Sequence, residues 1–386
     1  MAVLKTIKLA KCNADGTIVA NPVVVDLCVE SEDLKQKTNY VDIKCLLKKT
    51  ADTEEGSSTV EGGLTFNLTK QTAYLVHRLM LGDPLTNADA VTEDWAADTV
   101  YQVGDIVNHS DDKHTFRCTR VKGDAKSGSD EPTPTTTNST TIVQDNNVTW
   151  ESTTLLKKAT LQLQDTATLV AVEFGIDDGT GGDIFYKRYL SNEFSNLPLS
   201  LKNEDKVPQM QITLKGNKAI DSLDNDWVGS LDTIAGAKLV TLGTDYYSAN
   251  TDETTTLSLD GNYGCVDSFE LTLDKGITVK KGLNECFTSQ RDIKCSGKLS
   301  LNFLKDEYVK YKRNEKFEAV AKVEHQGCYF QWTVPTVKAE RTDPDIQKQS
   351  EVLLSPNIKA LSDPEPLLVE IVYPAFMADD GTLVDF

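Results

Sequence analysis

The residues of this 386-residue chain that could carry chemistry are paired acids, four histidines and eight scattered cysteines. Asp111 and Asp112 are adjacent, and so are Asp177 and Asp178. A glycosidase needs two carboxyl groups on opposite sides of a sugar bond, roughly 5 to 9 Å apart, and adjacent residues on a turn do not provide that geometry. We therefore interpret these acids as exposed turn residues.

Other reactive patterns are equally weak. The run DDGTGGD at residues 177–183 combines acids with glycines, but its spacing does not fit an EF-hand and favours a hairpin turn. His77 falls among Ala73, Val76 and Met80 at helical spacing, which is typical of a core histidine. The sequence contains no phosphate-binding glycine loop, no hydrolase motif and no zinc motif. It therefore predicts no enzyme, no cofactor and no metal site.

Composition limits the partners of the chain. Forty basic against fifty-nine acidic residues give a formal net charge of −19, which argues against a tight grip on nucleic-acid phosphates. No apolar run approaches the roughly 18 residues of a membrane span, and we read no secretion signal at the N-terminus. The cysteines form no C-x-x-C motif, so we expect them to be reduced, several of them as small core residues.

One strand is repeated in the chain. KCSGKLSLNF at residues 294–303 repeats the pattern of VEGGLTFNL at residues 60–68, and in both copies a glycine opens a run of alternating apolar residues. The matching positions are Gly62, Leu64, Phe66 and Leu68 in one copy and Gly297, Leu299, Leu301 and Phe303 in the other. A helical pattern follows each copy, at residues 69–81 and 306–313. The chain is therefore predicted to contain two related halves.

The sequence predicts a mainly β protein with several parts. A change of composition near Asp83 and Pro84 marks the start of a small β module. The predicted parts are a discontinuous first domain (1–88 and 153–222), the inserted module (89–152), a linker (223–256) and a second domain (257–386). The final residues, 374–386, are expected to form an arm that packs on a neighbouring molecule.

The second half, residues 266–374, resembles the tail tube proteins of long flexible-tailed bacteriophages. The motifs that carry the resemblance are SFELTLDKGITV, SGKLSLNF, YFQWTVPTVKAE and PLLVEIVYP. The first half is similar through VEGGLTFNLTKQTAYLVHRLMLGD and LPLSLKNEDKVPQMQITLKG. The resemblance implies two tandem β-sandwich or split-barrel domains of the tail tube type, each with a short flanking α-helix.

The resemblance also implies a function and partners. Such domains form rings that stack into a tube, and the tube conducts DNA during ejection. Two domains in one chain imply a homotrimeric ring with pseudo-sixfold symmetry. The implied partners are further copies of the chain, the tape measure and tail terminator proteins, and DNA that passes without specific binding. The implied location is the virion tail, assembled in the host cytoplasm.

Two sets of residues follow from this family. The inner-barrel hairpin strands would contain Leu64, Phe66, Leu299 and Leu301. The long hairpin loops would contact neighbouring rings, or else form exposed flexible turns. The residues assigned to these loops are Lys48, Glu54, Glu55, Lys280, Lys281 and Arg291.

The inserted module resembles small chitin- or cellulose-binding modules. The resemblance rests on Trp95, Tyr101, Gly104-Asp105, TFRC at residues 115–118 and VTW at residues 148–150. It implies that Trp95, Tyr101 and Trp150 stack on host-surface glycans, although the same rings are expected as the core of so small a module. Two alternatives therefore stay open: a glycan-binding adhesin or another virion decoration protein on a β-sandwich stalk, and a carbohydrate-active enzyme that lacks a visible acid/base pair.

Overall fold

The chain folds mainly into β-strands, as the sequence predicts. The computed structural model describes residues 3–43, 52–134, 140–164, 168–177, 179, 184–202, 209–216, 218–247, 255–259, 262–263, 266–281, 287–290, 293–302, 315–340, 345–347, 351–361 and 366–386. Within these residues there is a single α-helix, and the second predicted helix, at 306–313, lies outside them.

The strands before and within the inserted module are β1 (Val3–Lys11), β2 (Val23–Asp26), β3 (Ser31–Glu32), β4 (Lys35–Ile43), β5 (Asp52–Asn67), β6 (Thr86–Asp89), β7 (Ile106–Asn108), β8 (His114–Val121), β9 (Thr141–Asp145) and β10 (Val148–Thr154). Those between the module and the second half are β11 (Leu156–Gln162), β12 (Val170–Asp177), β13 (Phe185–Lys202), β14 (Gln209–Gly216), β15 (Lys218–Asp221) and β16 (Lys238–Thr241). The remaining strands are β17 (Thr255–Leu259), β18 (Asn262–Tyr263), β19 (Val266–Asp274), β20 (Thr278–Lys281), β21 (Phe287–Gln290), β22 (Lys294–Asn302), β23 (Lys316–His325), β24 (Cys328–Ala339), β25 (Asp345–Gln347), β26 (Glu351–Leu354), β27 (Asn357–Ala360), β28 (Leu368–Pro374), β29 (Phe376–Met377) and β30 (Leu383–Val384).

The helix α1 (Lys70–Leu81) has the ends that the sequence predicts. The hydroxyl of Thr69 accepts a hydrogen bond from the backbone N–H of Thr72, at 3.0 Å, which satisfies one of the free donors of the first turn. Gly82 ends the helix at a φ of 108°, a backbone conformation that favours glycine. Every residue of α1 is buried, because the helix lies beneath strands from both halves of the chain.

One long antiparallel sheet joins the two halves. In it the strands follow the order β4–β5–β14–β13–β19–β22–β27. The connection between the halves is the pairing of β13 with β19, where Leu197 faces Leu273 and Leu201 faces Phe269. Two further strands, β26 and β25, continue from β22 beside β27.

The strand β13 belongs to two sheets. Its first part pairs with β12 and β15, in a sheet of order β16–β2–β1–β12–β13–β15, and its second part enters the long sheet. The change occurs at Ser191, whose φ is 53°, and near a register shift between Phe194 and Asn196. Such irregularities bend a strand and let it leave one sheet for another.

The glycine that opens each copy of the repeated strand is required by the packing. A Cβ atom on Gly62 would lie 2.5 Å from the Cα of Leu34, and one on Gly297 would lie 1.8 Å from the carbonyl oxygen of Glu270. Neither distance leaves room for a side chain, because the obstacle is backbone. The two copies therefore share a structural constraint as well as a pattern.

Both halves contribute to one continuous hydrophobic core. In its centre His77, 0% exposed, accepts a hydrogen bond at Nε2 from the indole N–H of Trp332, at 2.7 Å. The Nδ1–H of His77 then donates to the carbonyl of Ala73, at 2.6 Å. The prediction that His77 is a core histidine is confirmed, and it links α1 to a strand of the second half.

The neutral form of His77 makes the stability depend on pH. Burial lowers the pKa of His77 from 6.5 to about 4. Between pH 6.5 and about pH 4, His77 is protonated in the unfolded chain but neutral in the folded chain. The stabilisation is therefore complete above pH 6.5 and decreases as the pH falls to about 4. We expect a loss of about 3 kcal/mol from this group across the interval.

Urea unfolding of the protein and of a His77→Gln variant between pH 7 and pH 4 measures this loss. Glutamine keeps an acceptor for Trp332 but does not titrate, so the variant should lack this part of the pH dependence. Parallel pH profiles for the two proteins would contradict the assignment.

The segment predicted as a linker, residues 223–256, is described at residues 223–247 and at 255–256, where β17 begins, and its described strands are paired. Its strand β16 pairs in parallel with β2, and Tyr247 is fully buried with its ring edge against Phe330. The predicted arm, residues 374–386, also lies against its own chain. Phe376 and Phe386 are buried there, because the core has apolar space for their rings, and Arg78 forms an ion pair with Asp385.

The inserted residues form their own four-stranded sheet, β7–β8–β10–β9, with a separate small core. The chain enters and leaves it at neighbouring positions, because Asp89 lies opposite Lys157. The module is also fixed to the rest of the protein. Thr154 donates from Oγ1 to the carbonyl of Ala375, at 2.8 Å, and the N–H of Thr140 donates to Asp245, at 2.8 Å.

Candidate functional site

The long sheet has one apolar face and one polar face, because successive side chains of a strand point to opposite sides. The apolar face is covered by the core, and its side chains are buried. Its members include Leu64, Phe66, Leu197, Leu199, Met210, Ile212, Phe269, Leu271, Leu273 and Leu299.

The opposite side, called the polar face below, is half-buried or exposed along its length. Strand register places its residues directly opposite one another, for example Asn196 opposite Asp274 and Asp274 opposite Lys294. It consists of Glu61, Thr65, Asn67, Asn196, Ser200, Gln209, Gln211, Thr213, Lys215, Ser268, Glu270, Thr272, Asp274, Lys294, Ser296, Lys298, Ser300, Asn357 and Lys359.

Charges on the strands β5 to β22 of the polar face are balanced by position. Lys215 lies 3.8 Å from Glu61, and the register places Lys298 opposite Glu270. Opposite charges at facing positions of neighbouring strands stabilise a sheet. The excess negative charge of the chain is therefore not concentrated on this part of the polar face.

The four leucine and phenylalanine residues predicted for the inner-barrel strands do lie on strands of this sheet. Leu64 and Phe66 are on β5, and Leu299 and Leu301 are on β22. The side chains of Leu64, Phe66 and Leu299 point into the core and not toward the polar face. Alternation was visible in the sequence, but only the packing of α1 shows which side is covered.

The predicted ring-contact residues are placed differently from the sequence prediction. Glu54 and Glu55 lie on β5, and Lys280 and Lys281 lie on β20, so all four belong to paired strands and not to loops. The cause is that polar residues at the end of a hairpin continue the ladder of backbone hydrogen bonds when a partner strand is in register. Lys48 and Arg291 lie outside the described residues.

The aromatic residues predicted to stack on sugars form the core of the inserted module. Trp150 is 0% exposed and Tyr101 6%, and their rings meet edge to face at 4.8 Å. Trp95 is half-buried. A buried ring offers no face to a sugar, so the structure favours the core role that the sequence also allowed.

One carboxylate holds these aromatic rings together. Asp145 accepts from the indole N–H groups of both Trp95, at 3.1 Å, and Trp150, at 3.0 Å. Its other oxygen accepts from the N–H of Gly128, at 2.6 Å. Asp145 thus satisfies two indole donors at once, a role that no sequence pattern indicated.

Two buried ion pairs were also missed by sequence reasoning. Arg188 donates to Glu173 from Nε at 2.9 Å, and both side chains are 1% exposed. Glu173 further accepts from the N–H of Leu231, at 3.0 Å, while burial raises its pKa. Lys275 lies 3.4 Å from Glu193 where β13 and β19 meet. The first pair joins the consecutive strands β12 and β13, and the second joins residues 82 positions apart in the sequence.

The described cysteines agree with the prediction of reduced thiols. All five are free, and the four buried ones are Cys12, Cys118, Cys295 and Cys328. Burial raises the pKa of Cys295 to about 12, so this thiol stays protonated and unreactive.

Within the described residues, no set of three or more His, Cys, Asp or Glu side chains is arranged to bind a metal ion. No helix in the same residues has the length and apolar character needed to cross a membrane. Comparison with protein-family models and with curated proteins finds no match to the chain. The site must therefore be interpreted from its own geometry, and the polar face is the candidate surface.

Proposed function

We propose that the chain is the subunit of the tail tube of a long flexible-tailed phage, in which three copies form a ring and rings stack into a channel for DNA. One observation carries the proposal: a sheet that crosses both halves of the chain, covered on one side and polar on the other. Closing such a sheet into a ring places the polar face on a water-filled interior. The covered face and α1 then form the outer wall.

The edges of the sheet support the same arrangement. Within the described residues β4 pairs with β5 alone at one end of the sheet. At the other end the sheet continues from β27 into β24, and beside this continuation β25 pairs with β26 alone. Open edges of this kind are completed by another strand, and a closed ring completes all of them. In the proposed ring β4 of one copy pairs with β25 of the next copy.

The repeat supports two tandem tail tube domains per chain. Its two copies, β5 and β22, lie in the same sheet, separated by β14, β13 and β19. A chain with two such domains gives six domains in a ring of three copies. The tape measure and tail terminator proteins are then the expected partners of the inside and the end of the tube, in a virion tail assembled in the host cytoplasm.

The inserted module would lie on the outside of this tube, since Thr154 at its end bonds to Ala375 directly after β28, a strand that contacts α1 on the covered side of the sheet. Its buried aromatic rings give no support to sugar stacking, so its proposed contribution to host attachment does not depend on Trp150 or Tyr101.

Sedimentation velocity of the purified protein at rising concentration tests the proposal. The expected species has three times the 42.5 kDa mass of one chain, followed by larger stacks. A protein that stays monomeric at every concentration, and also in the presence of its tail partners, would overturn it.

A further inference from the structure

Three lysines form a row across neighbouring strands at the margin of the polar face. Lys316 of β23 lies directly opposite Lys338 of β24, and Lys338 lies directly opposite Lys359 of β27. Adjacent strands are about 4.8 Å apart, so the three ammonium groups share a strip roughly 10 Å long. We call these residues the lysine row.

The lysine row is unfavourable for the isolated chain. Like charges at facing positions of a sheet repel one another. In the described part of the chain none of the three lysines forms an ion pair, and Glu340, which follows the same strand, accepts a hydrogen bond from Asn357 at 2.8 Å. Elsewhere on this face lysines are set opposite acids, as with Lys298 and Glu270. The three facing lysines therefore form a local concentration of positive charge, with Glu318 and Glu340 each two residues further along the chain, and an external anion would reduce the mutual repulsion of the lysines.

We propose that the lysine row contacts the phosphate backbone of DNA. This inference rests on the proposed function, because the row continues the polar face that would line the channel: Lys359 lies opposite Ser296 of β22. Duplex DNA carries one negative charge per roughly 1.7 Å of its length, so a strip of three lysines meets several phosphates in any rotation of the helix. Flexible ammonium groups make weak contacts without sequence preference, which suits a polymer that must keep moving.

Retention of a short DNA duplex by the full-length protein tests the lysine row. The variant is Lys316→Gln, Lys338→Gln, Lys359→Gln, and the control removes the same charge at three exposed lysines elsewhere, Lys122→Gln, Lys126→Gln, Lys218→Gln. At low salt, about 50 mM, the unaltered protein and the control should retain DNA. The slope of log affinity against log salt should fall by about 1 for each lysine lost from the row.

Two results would overturn the inference: no retention of DNA by the unaltered protein at low salt, or equal retention by the row variant. Loss of self-association with unchanged DNA retention would also overturn it, and would assign the row to an acidic protein surface. Sedimentation of the same samples keeps the two proposals apart. Trimers without DNA retention would reject the lysine row alone, and row-dependent retention by a permanent monomer would reject the ring alone.

Discussion

A proline at the outer edge of β4 is expected to abolish ring assembly while the chain keeps its fold. Proline has no N–H to donate to a neighbouring strand. Successive N–H groups of a strand point to opposite edges. Of the N–H groups of Gln36 and Lys37, one therefore points toward β5 and the other outward, and Gln36→Pro and Lys37→Pro each remove one of them. The variant that removes the N–H pointing toward β5 should lose stability. The variant that removes the outward N–H, called the outward variant, should fold but remain monomeric.

Circular dichroism and thermal unfolding identify the outward variant, and sedimentation velocity then measures its assembly. The matched controls are the two single variants Val143→Pro and Gln144→Pro on β9. Among the described strands of the module, β9 pairs with β10 alone. The outward variant of that pair should assemble normally. Trimers formed by both outward variants would contradict the role of β4.

Removal of Glu173 is expected to have the largest effect on the stability of the chain. Glu173→Leu leaves the guanidinium of Arg188 without its carboxylate in a site where both side chains are 1% exposed. Removing one partner of a buried ion pair lowers the free energy of unfolding by about 3 to 5 kcal/mol, because the remaining charge stays buried. The variant also removes the acceptor for the N–H of Leu231, which holds the segment before β16 against β12.

Urea unfolding compares this variant with two others. Asp226→Asn disrupts an exposed pair, in which Lys218 is 52% and Asp226 65% exposed, and should change the free energy of unfolding far less than Glu173→Leu does. The double variant Glu173→Leu, Arg188→Met replaces both charges by apolar groups and should recover much of the loss. A loss below about 1 kcal/mol in Glu173→Leu would show that Arg188 finds another partner or water.

Local patterns in the sequence predicted the local parts of the fold. The helix α1 was predictable because Thr69, Gly82 and the apolar stripe are neighbours in the sequence. The strands β5 and β22 were predictable from alternation, and their opening glycines, Gly62 and Gly297, from the repeat. The causes of the helix and of the alternation act within about ten residues, whereas the two glycines are required by the backbone of Leu34 and Glu270.

Features that depend on the register and bending of strands could not be predicted in this way. The pair Arg188–Glu173 requires the register between β13 and β12, and the passage of β13 from one sheet to another is decided by bends near Ser191. The burial of Trp150 depends on Asp145, whose carboxylate resembles any turn acid in the sequence. The polar face was visible only as alternation, without the order of strands that makes it continuous.

The central claim is that the polar face lines a channel closed by pairing of β4 with the next copy. Cryo-electron microscopy of the assembled protein tests this claim most directly. The expected result is a ring of three copies with six similar lobes, a continuous β-barrel, and Gln211 and Thr272 facing the interior. A ring whose polar face lies on the outside, or whose copies meet without pairing of β4, would contradict it.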